Sequence, residues 1–282
     1  MNVVVDGKAL KEKILNELAH EVSKKRLRPN LAIILVGEDE PSMRYIKQKQ
    51  KAAEQIGARV QLVQLSQDVS QERLVTQIKQ LNADKNVTGI IVQLPLPNHL
   101  DKVTVLQTIK KEKDVDGLTA GSLFKPATPL GVMEILHEYQ VPIKDKTAVV
   151  IGQSDLVGAP LSAMLEEEGA KVTRLDINTP PPIAPLVQQG DIVVSAVGQI
   201  GLVSSAMVKP GAVVIDVGMN VVSKKQQVTS NKGEKGPKLV GDVDFEKVKE
   251  KASLITPVPG GVGPMTVAFL MKNIVLAATI DK

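Results

Sequence analysis

A strand, a tight turn and a helix start follow one another in TAVVIGQSDLVGAP, residues Thr147 to Pro160. The β-branched run breaks at Gly152, and a second glycine, Gly158, precedes a helical pattern. This layout presents backbone N–H groups to a phosphate. It departs from G-x-G-x-x-G, because Ser154 takes the place of the second glycine and the last glycine comes one residue late. The pattern is typical of a nucleotide site or of an ordinary strand-to-helix turn.

Polar groups also follow other apolar runs, where ligands bind in open parallel sheets. Gln93 closes the run GIIVQ, and a buried glutamine needs a hydrogen-bond partner. Asp114 and Asp116 lie beside Gly117, where a carboxylate could accept paired N–H donors from a ligand or simply form a turn. Residues Pro257 to Pro264 hold three glycines and three prolines, which suits either close approach of a ligand or a structural loop.

A tyrosine and a lysine share one face of a predicted helix. Tyr45 and Lys49 are four residues apart in the segment from about Ser42 to Ile56, for which Ser42 is the expected N-cap. Lys49 could equally belong, with its neighbouring lysines, to a solvated basic face.

The elements that must position these groups alternate between β and α. Leu31 to Val36 and Gly89 to Leu94 are apolar runs that fit strands buried on both faces. A second alternation begins at Thr147 and ends in an apolar helix, Val267 to Thr279. Alternation of this kind implies parallel sheets with right-handed crossovers. We predict an α/β fold of two lobes, with the last helix packing back on the first lobe.

Composition excludes several classes of function. The 282 residues include no cysteine, which excludes disulfides, thiolate zinc sites and cysteine nucleophiles, and the three histidines show no metal-ligand spacing. Few aromatics and a net charge of +4 argue against a nucleic-acid partner. We find no secretory signal and no apolar run near the roughly 20 residues that span a bilayer. We therefore expect a cytoplasmic protein without a membrane partner.

Several strings resemble, in order, the signatures of the bifunctional methylenetetrahydrofolate dehydrogenase/cyclohydrolases, and the likeness runs from about Asp6 to the C-terminus. Tyr45 and Lys49 match the first signature. The other matching strings are VQLPLP (Val92 to Pro97), KDVDG (Lys113 to Gly117), VIDVGMN (Val214 to Asn220), VGDVDF (Val240 to Phe245) and ITPVPGGVGPMTVA (Ile255 to Ala268).

The resemblance implies two reactions and two domains. A hydride passes from 5,10-methylenetetrahydrofolate to NAD(P), and water then opens the 5,10-methenyl cation to 10-formyltetrahydrofolate. Residues 1–120 plus 264–282 would form the folate-binding, catalytic domain, and residues 121–263 a Rossmann-like dinucleotide-binding domain. The family also implies a homodimer.

The resemblance assigns residues to each task. Asp116 would orient the pterin ring, Lys49 would relay protons with a lowered pKa, Gln93 would hold the lysine and Tyr45 would pack on the folate. On the folate side, Pro259, Gly260 and Gly263 would line the site. The residues implied at the cofactor are Gly152, Gln153, Ser154, Gly158, Asp176, Ile177, Met219 and Thr128.

Departures from the family pattern bear on the cofactor. The family default is NADP, but Gln153 stands where many members have an arginine for its 2′-phosphate. Asp176 follows the predicted strand Lys171 to Leu175 and lies 24 residues after Gly152, near the distance at which an acidic residue takes the ribose 2′-OH of NAD. These residues favour NAD, unless Asp176 is only a loop carboxylate. The linker Thr119 to Pro129 is also shorter than usual.

Three alternatives stay open. The same fold could have one working activity, as a cyclohydrolase with an impaired nucleotide site. The chain could be a non-catalytic folate-binding protein, or a dehydrogenase acting on another small substrate.

Overall fold

The computed structural model describes residues 2–176, 179–180, 182–222 and 238–280. The chain divides into two compact units. The first unit comprises Leu10–Ala127 and Thr266–Lys282, and the second comprises Met1–Ala9 and Thr128–Met265.

Helices and strands alternate along most of the chain. The helices are α1 (Gly7–Lys25), α2 (Glu40–Gln55), α3 (Gln71–Ala83), α4 (Lys102–Gln107), α5 (Ala127–Glu138), α6 (Gly158–Glu167), α7 (Ala184–Val187), α8 (Phe245–Lys249) and α9 (Val262–Ile280), with a 3₁₀ turn at Ser205–Met207. The strands are β1 (Val3–Val4), β2 (Asn30–Val36), β3 (Arg59–Leu65), β4 (Gly89–Val92), β5 (Thr147–Ile151), β6 (Lys171–Leu175), β7 (Ile192–Ser195), β8 (Val213–Asp216), β9 (Asn220–Val222), β10 (Lys238–Val240) and β11 (Leu254–Ile255).

The first unit contains a three-stranded parallel sheet in the order β3-β2-β4. The central strand β2 and its neighbour β4 are buried along nearly their whole length, as their unbroken apolar sequences predict. Ile34 lies opposite Val92 in the register and belongs to a core shared with residues of α3 and α4. The register with β2 and the packing in this core together fix the position of the carboxyl end of β4.

The second unit contains a six-stranded parallel sheet in the order β1-β11-β8-β7-β5-β6. From β5 the chain moves outward to β6 and then returns to β7 on the other side, so the strand order reverses between β5 and β7. This switch point is where doubly wound sheets bind dinucleotides. The α/β fold with parallel sheets is confirmed. The short ribbon of β9 and β10 is antiparallel.

The C-terminal helix α9 is 19 residues long. It is longer than the sequence pattern indicated, and it is the one helix of the described residues that is long and apolar enough to cross a membrane by length and composition. Most of it is buried, as in the core helix of a soluble protein. Its Asn273 is 5% exposed and donates to the carbonyls of Val115 (2.8 Å) and Lys125 (3.1 Å). This helix therefore packs back on the first lobe, as predicted.

The start of one helix differs from the sequence analysis, and the two compact units divide the chain at three points. The N-cap of α2 is Asp39 and not Ser42, because the Asp39 carboxylate accepts a hydrogen bond from the backbone N–H of Ser42 at 2.9 Å. The two units divide at 9/10, 127/128 and 265/266, and the functional domains 1–120 plus 264–282 and 121–263 stay a prediction. The N-terminal nine residues belong to the second unit, because β1 pairs with β11 in the six-stranded sheet.

Candidate active site

The side chain of Lys49 is hydrogen-bonded to the residue that follows β4. It is half-buried on α2, and its Nζ donates to Gln93 Oε1 at 3.1 Å. The Gln93 backbone N–H donates to Ile34 O at 2.9 Å, which continues the pairing of β4 with β2, and its side-chain amide donates to Leu94 O at 2.8 Å. The glutamine at this strand end is therefore hydrogen-bonded, and it fixes the position of the ammonium group.

Asp116 lies in a turn with a tightly held backbone. The buried Asp114 carboxylate accepts from the backbone N–H and the hydroxyl of Thr119 at 2.8 and 2.7 Å, and Gly117 N donates to Asp114 O at 3.0 Å. Gly117 has φ +70°, and a β-carbon there would lie 2.7 Å from Phe124 O. Asp114 therefore acts as a turn-forming residue, and Asp116 is the carboxylate that this turn presents.

The same turn is anchored at both ends by more distant residues. Before it, the buried Lys113 ammonium donates to Leu81 O at 3.0 Å and to Asp84 O at 2.6 Å, at the end of α3. Asn273 of α9 holds the carbonyl of Val115, next to Asp116. The contacts of Lys113 reach back about 30 residues along the chain, and the contact of Asn273 spans 158 residues.

The charges of Lys49 and Asp116 act on one another. Burial lowers the pKa of Lys49, and the Asp116 charge opposes that shift. Burial raises the pKa of Asp116, Lys49 opposes the rise and Asp114 adds to it. The family resemblance implied a lowered lysine pKa beside a cationic intermediate, but here burial alone is enough to lower it. Both groups shift toward their neutral forms, which suits a lysine that exchanges protons.

Tyr45 lies one turn before Lys49 on the same helix and is half-buried. Burial raises the pKa of its phenol, so the hydroxyl keeps its proton at neutral pH. Thus Lys49, Gln93 and Asp116 form one cluster within the first unit, and Tyr45 lies on the helix face that carries the lysine.

The glycine-proline loop, residues 257–264, belongs to the second unit. Gly260 has φ +114°, and a β-carbon on Gly7 would lie 1.9 Å from Gly261 O, so α1 begins in direct contact with this loop. Pro259 and Gly260 precede α9, and Gly263 lies in its first turn.

The turn after β5 has the close contacts of a phosphate-binding turn despite its irregular spacing. Gly152 has φ +94°, and a β-carbon on it would lie 2.5 Å from Ala196 O. A β-carbon on Gly158 would lie 1.7 Å from Gly152 O, so only glycine allows α6 to begin there. Among the described residues, no side chain caps this helix start at Val157. The turn and the helix start therefore fit the pyrophosphate of a dinucleotide.

The other residues expected at the cofactor are placed as follows. Gln153 donates to Val150 O at 3.0 Å, and its carbonyl accepts from Ser162 Oγ at 3.4 Å, so its side chain is bound within its own turn and helix. Asp176 is exposed directly after β6, and its backbone N–H donates to Thr179 Oγ1 at 2.7 Å. Ile177 lies outside the described residues.

Three further cofactor residues lie in the second unit. Ser154 is exposed, and its carbonyl accepts from Ala159 N at 3.1 Å, at the start of α6. Thr128 lies in the first turn of α5, and Met219 is 47% exposed between β8 and β9.

The sequence analysis overlooked two buried carboxylates at the carboxyl edge of the second sheet. Asp216 ends β8 and Asp242 follows β10, within the strings VIDVGMN and VGDVDF. Burial raises the pKa of Asp216 to about 6, against the opposing effect of backbone N–H donors. A signal was present, since an aspartate ending an apolar strand must find hydrogen-bond donors.

Two family models match the chain. The catalytic domain of tetrahydrofolate dehydrogenase/cyclohydrolase matches residues 5–116, and the NAD(P)-binding domain of the same enzymes matches residues 126–282. The chain belongs to this family. The resemblance seen in the sequence is thereby confirmed, and so is the Rossmann-like, NAD(P)-binding character of the second lobe.

Similar proteins match the chain almost end to end. The bifunctional protein FolD of Rickettsia bellii is 44% identical over 294 residues, which cover 99% of each chain. The crystal structure of the bifunctional FolD enzyme from Campylobacter jejuni has a TM-score of 0.91 at 40% identity, again over 99% of each chain. The FolD structure from Trypanosoma brucei, complexed with NADP and an inhibitor, has a TM-score of 0.91 at 41% identity and covers 99% of this chain and 97% of that one. These relatives give no support to the non-catalytic or single-activity alternatives.

Proposed function

We propose that this family member carries both activities. It oxidises 5,10-methylenetetrahydrofolate to the 5,10-methenyl cation with NAD(P)⁺ as hydride acceptor, and it hydrolyses that cation to 10-formyltetrahydrofolate. The observation that carries the proposal is the hydrogen bond from Lys49 to Gln93 beside Asp116, in the part of the chain that matches the family's catalytic domain. A lysine held in this way suits the hydrolytic step, which a dehydrogenase alone would not need.

Asp116 binds and orients the substrate in this account. A carboxylate can accept two N–H donors from the edge of the pterin ring, which fixes the ring's position and direction. The turn around Asp116 is held by Asp114 and Asn273, so little orientational freedom is lost on binding. Tyr45 packs against the folate from the helix that carries Lys49.

Lys49 exchanges the protons of the hydrolytic step. Water adds to the methenyl carbon, a C–O bond forms, and the neutral Lys49 amine accepts the proton that the water loses. The carbinol hydroxyl then loses its proton as the bond from that carbon to N5 breaks, N5 takes up that proton, and the formyl group stays on N10. Lys49 returns the proton that it accepted to the solvent, so that hydrolysis of the cation releases one proton. Gln93 accepts a hydrogen bond from Lys49 Nζ and so keeps the amine directed to one place.

The second unit holds the dinucleotide. The turn at Gly152 and the start of α6 at Gly158 would bind the pyrophosphate, with Ser154, Gln153, Met219 and Thr128 nearby in the same unit. When bound, the nicotinamide supplies the hydride acceptor. We assign the folate chemistry to residues 1–120 plus 264–282 and dinucleotide binding to residues 121–263, with Pro259, Gly260 and Gly263 on the folate side of the nicotinamide.

The cofactor is NAD in preference to NADP. Gln153 carries no positive charge, and its amide is bound to Val150 O and Ser162. An exposed Asp176 after β6 would accept a hydrogen bond from a ribose 2′-OH and repel a 2′-phosphate. The similar enzyme of Trypanosoma brucei was crystallised with NADP, so this preference would be a departure within the family.

Replacing the lysine should separate the two activities. Lys49→Met removes the proton acceptor, and we expect methenyl hydrolysis to fall by about 10²-fold or more while hydride transfer is retained better. Lys47→Met is the matched control, because Lys47 is exposed on the same helix. Hydrolysis is followed by loss of methenyl absorbance, and hydride transfer by formation of NAD(P)H. Wild-type rates for both steps in Lys49→Met would rule out the assigned role.

Cofactor preference is measured by initial rates with NAD and NADP at saturating methylenetetrahydrofolate. We expect a higher kcat/KM with NAD. Asp176→Ser should raise kcat/KM for NADP by about tenfold, or about 1.4 kcal/mol, because it removes the repulsion of the 2′-phosphate. Glu250→Gln controls for the loss of one negative charge elsewhere in the second unit. A wild-type preference for NADP would contradict the assignment to Asp176.

The assembly we infer is a homodimer in the cytoplasm, with no nucleic-acid or membrane partner. Support comes from the family resemblance and from exposed apolar side chains on the second unit, among them Val221 of β9 at 61% exposure and Ile200 at 55%. Sedimentation equilibrium should give the mass of two chains, and cell fractionation should recover the enzyme in the cytosol. A single-chain mass at micromolar concentration would rule out the dimer.

A further inference from the structure

Two buried aspartates that the mechanism above does not use lie at the carboxyl edge of the second sheet. Asp242 is 0% exposed and Asp216 is 3% exposed. A buried carboxylate is costly unless hydrogen bonds replace its hydration. The donors that it recruits therefore show which parts of the backbone it holds in place.

Asp242 holds the end of β7 and the loop that follows. Its Oδ2 accepts from Ser195 Oγ (2.9 Å), Val197 N (2.9 Å) and Gly198 N (3.1 Å). Its Oδ1 accepts from Asn220 Nδ2 at 3.2 Å, at the start of β9. One carboxylate thus binds the last residue of β7 and two residues of the loop that follows, and it joins them to β9.

Asp216 fixes Asp242 in turn. The Asp216 carboxylate accepts from Asp242 N (3.0 Å) and Val243 N (2.9 Å), and also from Gly218 N (2.9 Å). Its own backbone N–H donates to Thr256 Oγ1 at 2.7 Å, in the strand-end region after β11. The two aspartates therefore form a connected network and do not act as separate caps.

Two glycines make this network possible. A β-carbon on Gly218 would lie 2.1 Å from Asp242 Oδ1, and one on Gly241 would lie 1.9 Å from Asp216 Oδ2. Each carboxylate packs directly on the glycine that neighbours the other aspartate. A side chain at either glycine would overlap a carboxylate of this network, so the strings VIDVGMN and VGDVDF, which supply both pairs, depend on one another.

The loop that Asp242 holds adjoins the phosphate turn. β7 and β5 are neighbours on either side of the switch point, and Ala196 N donates to Ile151 O at 2.8 Å. A β-carbon on Gly152 would lie 2.5 Å from Ala196 O and 3.2 Å from Val197 Cγ2. Because residues 196 and 197 are in contact with Gly152, a shift of the Val197–Gly198 backbone would also displace Gly152.

We propose that Asp242 is a positioning residue of the dinucleotide site, which it serves by holding the loop of residues 196–198 against the phosphate turn. The proposal rests on the proposed function, because it assigns NAD(P) to this turn. It predicts a selective effect. Loss of the Asp242 carboxylate weakens NAD(P) binding, while methenyl hydrolysis, which uses no dinucleotide, continues.

The test compares Asp242→Ala and Asp242→Asn with the wild-type enzyme. For Asp242→Ala we expect Kd and KM for NAD(P) to rise about tenfold or more, with methenyl hydrolysis within about twofold of wild type. Asp242→Asn keeps one acceptor oxygen for Ser195, Val197 and Gly198, so its Kd should rise less. The measurements are isothermal titration with NAD and NADP, dehydrogenase KM, and hydrolysis of methenyltetrahydrofolate.

Asp191→Ala is the matched structural control. Asp191 also holds a strand of this sheet, since its carboxylate accepts from Thr147 N (2.8 Å) and Lys209 Nζ (2.6 Å), but at the amino end of β5. The Asp191→Ala substitution should lower the melting temperature of the enzyme without changing its Kd for NAD(P). An equal loss of NAD(P) affinity in Asp191→Ala would mean that general weakening of the sheet explains the effect, and the proposal would fall.

The remaining outcomes each decide the matter. A wild-type Kd for NAD(P) in Asp242→Ala overturns the proposal. If Asp242→Ala does not fold, the test uses Asp242→Asn alone. A rise of about threefold or more in its Kd for NAD(P) supports the proposal, and a wild-type Kd overturns it. If the wild-type enzyme itself lacks both activities, the proposed function has failed. If it has both activities and the Asp242 variants bind NAD(P) normally, only this inference is wrong.

Discussion

The candidate site depends on holding an ammonium group and a carboxylate together in a largely desolvated place. Lys49 loses hydration on burial, and the structure compensates with the hydrogen bond to Gln93 and the nearby charge of Asp116. Each of these groups needs its own support. β4 fixes Gln93 through its pairing with β2, α2 carries Lys49, and the turn at Asp116 is held from α9 by Asn273. The fold of the first unit can be understood as the support for this small cluster.

The second unit meets a different requirement, which is close backbone approach at the switch point of a doubly wound sheet. Its phosphate turn lacks the usual glycine spacing, yet Gly152 and Gly158 each occupy a position where a β-carbon would overlap a carbonyl oxygen. The steric function of the glycines is therefore kept although the motif is irregular. On the other side of the switch point, the Asp242 carboxylate holds the neighbouring loop, and the Asp216 carboxylate in turn holds the backbone of Asp242.

Much of this architecture was predictable, because local patterns determined it. The buried strands β2 and β4 follow from unbroken apolar runs, and β6 has the predicted bounds. The strand β1 was not predictable, because its two exposed valines carry no periodic signal. They form a strand by pairing with β11, some 250 residues later in the chain. The N-cap of α2 was misassigned because Asp39 and Ser42 are both good capping residues, and only the structure shows which one accepts the hydrogen bond.

The chemical groups were easier to predict than the contacts that hold them. Lys49 and Asp116 were selected by their match to family signatures, but the roles of Asn273 and Asp242 depend on tertiary neighbours that no local pattern contains.

The most direct test of this account is the titration of the Lys49 amine, followed by NMR with isotope-labelled lysine and assigned by its absence in Lys49→Arg. The account predicts a pKa for Lys49 below the value of about 10.4 that lysine has in unfolded peptides. Asp116→Asn should lower the pKa of Lys49 further, because the Asp116 charge opposes the effect of burial. An ordinary lysine pKa in the wild-type enzyme, unmoved by Asp116→Asn, would contradict the account.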